Sequence, residues 1–159
     1  MKKNVMPFLA GGITGIIAVV LLIFLFASKI MVLENESPWS YDEAVKIVKE
    51  KAAELKWSVP AVHELHNSMK KAGYQVEPAA VIEICRPDYA AGILQTDNAR
   101  NVTSLMPCRI ALYKTSDGKL VVSRMNTGLM SGLFGGKVTE IMAKATADSE
   151  QIIAALLKK

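Results

Sequence analysis

Charge is missing from the first stretch of this 159-residue chain: from Asn4 through Ser28 no side chain can ionise. That gap accounts for a mean hydropathy of +0.25, with 51% hydrophobic and only 21% charged residues, and it excludes a disordered polar chain. Blocks of like charge are also absent, as is any basic stripe interleaved with aromatics, so the chain lacks the electrostatic footprint of a nucleic-acid binder. Lys2 and Lys3 contribute two of the four net positive charges, and the rest of the chain is close to balanced. There is no Ser/His/Asp order, no paired-carboxylate motif, no G-x-x-x-x-G-K-[ST] phosphate loop and no dinucleotide fingerprint. The expectation is a binding module rather than an enzyme.

What fills residues 4–28 is a run of Ile, Val, Leu and Phe with glycines. As a helix of about 25 residues it would rise about 37 Å, against roughly 30 Å of bilayer hydrocarbon, so it can span with room for tilt. A cleaved signal peptide has a shorter apolar region of about 7 to 15 residues, so residues 1–28 read as a permanent single-pass anchor. Lys2, Lys3 and the α-amino group precede the span, whereas Lys29 is soon met by Glu34 and Glu36. This bias predicts an inner-membrane protein with its N-terminus in the cytoplasm and its domain in the periplasm or outside. Gly11 and Gly15 form a weak G-x-x-x-G spacing that could support self-association.

About 130 residues remain, enough for one domain. Residues 30–36 read as a first strand and leave almost no linker. Ser40 and Glu43 form a capping box ahead of an amphipathic helix over 41–55. Residues 57–65 read as a strand marked by Pro60 as an edge or a bulge. Residues 79–85 are a β-rich run ended by Arg86-Pro87, followed by a short helix to about Leu94. Residues 108–113 and 119–125 flank Thr115-Ser116-Asp117-Gly118, a hairpin signal. Residues 127–136 form a glycine-rich apolar flap or docking surface. Two helices follow, 138–147 and 149–157, with Asp148 capping the second. The order β-α-β-β-β-β-α predicts an α+β domain over residues 30–159, an antiparallel sheet of four or five strands with helices on one face.

Cys85 closes one strand and Cys108 opens the next, so antiparallel pairing would bring the two thiols near each other. Arg86 and Arg109 adjoin them and would lower the thiol pKa values if their side chains converged.

The C-x-P at Cys85-Arg86-Pro87, the Met106-Pro107-Cys108 that follows a short helix, and the strand, Asp-Gly and strand after it resemble the domain of unknown function 302 family. Residues 30–37, 57–65 and 106–113 resemble its membrane-anchored, periplasmic branch, with similarity over about residues 30–136. The resemblance implies a TATA-binding-protein-like α+β fold and no established activity. Arg86 stands where the family more usually has asparagine, and Met106 where it has leucine, so no role of that asparagine carries over.

Three uses of the cysteine pair stay open. A disulfide closing a loop of about 24 residues would add roughly 3 kcal/mol and leave a structural, partner-docking domain. A soft-metal site for Cu or Zn would be formed by Cys85 and Cys108 with help from His63, His66, Met106 or Met125. A thiol oxidoreductase would need an exposed thiol of lowered pKa. Met125, Met130 and Met142 read either as thioether ligands or as core filling.

Overall fold

The computed structural model describes the backbone from Val5 to Lys159 and side-chain surroundings from Gly11 onward. Lys2 and Lys3, on which the expected orientation rests, lie outside the described residues. Helix α1 (Val5–Met31) has 27 residues, about 40 Å of rise, and its Gly11–Met31 portion has a mean hydropathy of 2.5 and is unburied. This helix is long and apolar enough to cross a membrane. It runs three residues past Ser28, because nothing in Lys29-Ile30-Met31 breaks a helix, and strand β1 (Val32–Ser37) follows without a linker. The space beside Gly11 and Gly15 is open to at least 4 Å where a Cβ would stand.

Helix α2 (Tyr41–Glu54) starts at the expected capping box: the Ser40 hydroxyl accepts from the Glu43 amide, and the Glu43 carboxylate accepts from the Ser40 amide. It buries Ala44, Val48 and Ala52, a stripe at helical spacing. Strand β2 (Ser58–Glu64) is an edge strand with a register shift between Ser58 and Ala61, where Pro60 cannot donate to the ladder. Helix α3 (Leu65–Lys71) leads to β3 (Ala79–Cys85), then to α4 (Pro87–Leu94) with proline in its first turn. A 3-10 helix over Asp97–Leu105 occupies what reads in sequence as loop, and the Met106-Pro107 peptide after it is cis. Strands β4 (Cys108–Lys114) and β5 (Leu120–Met125) form the expected hairpin, with Gly118 at φ +85° and its amide donating to Thr115 O at 2.9 Å. Helix α5 (Thr127–Ser131) replaces part of the expected flap, and α6 (Gly136–Leu156) closes the chain.

The five strands form one antiparallel sheet in the order β1-β5-β4-β3-β2. Alternation sends Ile82, Ile84, Ile110, Leu112, Leu120 and Val122 to one face, all buried, against α2 and the C-terminal half of α6 with Ile152, Ile153 and Leu156. A second, smaller core joins Ile93 of α4, Ala99 and Val102 of the 3-10 helix, and Val138 and Ile141 of α6. The α+β expectation stands, with five strands.

One helix assignment is corrected. Asp148 caps nothing and sits inside the single 21-residue helix α6. Its Oδ2 instead accepts from Trp57 Nε1 at 3.1 Å, Arg86 Nη1 at 2.7 Å and Tyr89 Oη at 3.2 Å. Partners from two distant segments satisfy the carboxylate, so it has no need of a helix end.

Candidate functional site

The register gives the sheet two ends about 20 Å apart. Val32, Met125, Cys108 and Cys85 lie at one, and Ser37, Leu120, Lys114 and Ala79 at the other. At the first end a pocket of about 180 Å³ opens between the sheet, α4, the 3-10 helix, α5 and the N-terminal half of α6. Its floor is Ile84 and Ile110, and Tyr89, Ile141 and Ala145 close the helical side. The chain has eight methionines and two cysteines. Met106, Met125, Met130, Met142 and both cysteines border this pocket, contributed by a strand entry, a strand exit and two helices.

Charged groups at the pocket are already paired. Arg124 Nε and Nη2 donate to the two Glu150 oxygens at 2.7 and 2.8 Å, and its Nη1 donates to Asn35 at 2.7 Å. Arg86 donates to Asp88 at 3.0 Å as well as to Asp148, and its guanidinium lies 4.3 Å from the Tyr89 ring centroid. Burial, reinforced by the Asp148 carboxylate, pushes the Tyr89 hydroxyl above its usual pKa. Arg109, the third arginine on the lining, lies 3.7 Å from Glu83, so each described arginine here has a carboxylate beside it; the rest of the lining is mostly apolar carbon and sulfur, with Ser104, Thr127 and Ser149 among it.

The cysteines differ from each other. Cys108 pairs with Ile84 and shares its helix-covered face, whereas alternation turns Cys85 toward the other face at the end of β3. Both are free thiols, too far apart for a disulfide, because the register sets Cys108 opposite Ile84 rather than Cys85. Burial pushes the Cys85 thiol up; burial pushes Cys108 up as well, with the nearby Cys85 adding to it. The expected lowering by neighbouring arginines does not occur. Arg86 turns to Asp148 and Asp88, and Arg109 lies on the opposite face of the sheet beside Glu83, Nε to Oε1 3.7 Å.

His63 is not brought to the sulfur groups. It lies opposite Val81 on the outer face and sits 3.3 Å from Glu83, half exposed. His66, on α3, pairs its Nδ1 with the backbone of Ala79 at the far end. Among the described residues no three His, Cys, Asp or Glu side chains gather where they could hold a metal ion. Met106 and Cys108 are brought together at the pocket, and Met130 and Met142 join them.

A family model described as domain of unknown function DUF302 matches residues 33–156. The chain belongs to this family. The crystal structure of an uncharacterized conserved DUF302 protein from Bacillus stearothermophilus is similar, with a TM-score of 0.67 at 17% identity, covering 80% of this chain and 96% of that one. That likeness carries the fold. No curated protein matches the chain.

Proposed function

We propose that the protein is a membrane-anchored, extracytoplasmic binding module of the periplasmic branch of its family, and that its pocket takes a soft monovalent cation, Cu(I). One observation carries the reading: six of the chain's ten sulfur-bearing residues border one pocket whose other lining is mostly apolar and whose arginines lie against carboxylates. Soft thiolate and thioether donors select Cu(I), while Zn(II) wants four ligands drawn from thiolate, imidazole and carboxylate. Cys108 would supply the thiolate, and Met106, Met130 and Met142 the thioethers. Three rotatable bonds per methionine let those sulfurs close onto an ion smaller than the pocket. Cu(I) would displace the Cys108 proton on binding, whereas a thiol oxidoreductase needs a thiolate formed without a metal, which the raised pKa values disfavour. The separation of the thiols speaks against the disulfide-stapled docking domain.

The test is an anaerobic titration of the full chain, in lipid nanodiscs, with Cu(I) against a competing chelator. Retention of one equivalent is expected. Cys108→Ser should lose it, the near-isosteric Met142→Leu should weaken it at least tenfold, and His63→Ala should leave it unchanged. A wild-type chain that surrenders all Cu(I) to the chelator overturns the reading.

A further inference from the structure

We propose that the segment from Met125 to Phe134 is seated in the lipid surface beside the point where α1 leaves the bilayer. This rests on the reading of α1 as a membrane span and is independent of Cu(I). Asn126 ties the segment to the end of that helix: its amide donates to Met31 O at 2.8 Å and its Nδ2 donates to Ile30 O at 3.0 Å. The same side chain, through Oδ1, accepts from the Leu129 amide at 3.1 Å and so starts α5. One residue thus holds α5 within about one helical turn, roughly 5 Å, of the last apolar turn of α1.

What this segment presents there is apolar and uncovered. Leu133 is 80% exposed and Leu129 50%, beside Met125 and Phe134, and the patch continues into Ile30, Met31 and Val32, all exposed. An exposed apolar patch of this kind marks an interaction surface. From Met125 to Gly136 there is no ionisable side chain; Lys137 follows that stretch, and Lys29 precedes the exposed residues 30–32 that continue the patch. Apolar tips flanked by lysines suit the boundary between acyl chains and anionic headgroups, where such segments bury about 5 to 10 Å deep. A protein partner would have to displace lipid from the same place, so continuity with the span favours the bilayer.

The experiment uses the full chain in phosphatidylcholine and phosphatidylglycerol vesicles, with and without brominated acyl chains, which quench tryptophan on contact. Leu133→Trp puts a reporter at the most exposed tip, and Ser116→Trp puts one on the hairpin turn at the other end of the sheet. With the signal of the parent chain, Trp39 and Trp57, subtracted, the reporter at 133 should lose more than half its emission and the one at 116 almost none. Vesicle flotation is measured on the same samples. A chain that floats with neither reporter quenched, or with both quenched alike, overturns the seating while leaving the anchor intact. A chain that does not float overturns the anchor, and the seating with it.

Discussion

At the end of the sheet bearing Ser37, Leu120 and Ala79, polar groups close the connections. The Ser37 hydroxyl donates to Leu156 O at 2.6 Å, Trp39 Nε1 donates to Ala155 O at 3.2 Å, and Lys119 meets Glu36 at 3.0 Å. At the end bearing Val32, Met125 and Cys108, sulfur, a pocket and exposed leucines take their place. Fourteen buried side chains form the main core, which joins the sheet to α2 and the C-terminal half of α6, whereas only five form the small second core over the pocket. The difference teaches that dense packing and open space are separated along the strands. The closely packed part can hold the sheet while the sulfur end keeps room for a ligand.

Substitutions can break that separation or sharpen it. The largest effect is expected from Leu112→Ala in the packed region, where a fully buried leucine would be lost at a cost of about 3 kcal/mol. Chemical denaturation should show that loss, while Cu(I) retention by the folded fraction stays unchanged. Next comes a matched pair. Ala52→Leu adds volume to a site with no room and should cost about 1–3 kcal/mol, whereas Ala145→Leu grows into the pocket and should cost under about 1 kcal/mol yet abolish Cu(I) retention. Equal losses of stability in the two variants would refute the division.

The thiols give a subtler contrast. Alkylation of the metal-free chain should modify Cys85 well before Cys108, and both rates should still be climbing above the ordinary thiol pKa of about 8.5. Because both folded-state pKa values are raised, their contribution to stability is complete below that ordinary value and is lost as pH rises through the folded ones. A pH series of denaturation midpoints should therefore decline on the alkaline side, and less so in Cys108→Ala. The smallest effect belongs to the far end. The buried Tyr41 hydroxyl has no hydrogen-bond partner among the described residues, so Tyr41→Phe should change stability by no more than about 1 kcal/mol, in the stabilising direction.

What could be read from sequence was what neighbours decide. Ser40 with Glu43, Asp117-Gly118 and Arg86-Pro87 act over a few residues, and each ends or begins an element where expected. What could not be read depends on partners far along the chain. Asp148 looks like a helix cap because aspartate favours caps, yet its hydrogen bonds come from Trp57, Arg86 and Tyr89. Arg86 and Arg109 sit beside cysteines in sequence, but Asp148 and Glu83 claim them in space. His63 could be assigned to the wrong neighbours because its face depends on a register that a bulge at Pro60 shifts. That Met106, Met130 and Met142 line one pocket with Cys108 involves separate elements whose approach no local pattern announces.

The pairing of β1 with β5 fixes an order of events during synthesis. Val32 is among the first residues of the domain to be made, and its partner Met125 follows more than ninety positions later. Throughout that interval the first strand stands at the end of α1 with an unsatisfied edge, a template for wrong pairings. On the proposed reading of α1 as a membrane span, that edge waits at the bilayer surface. The sheet is complete only when the last strand returns to the first and Asn126 ties the end of α1 to the start of α5.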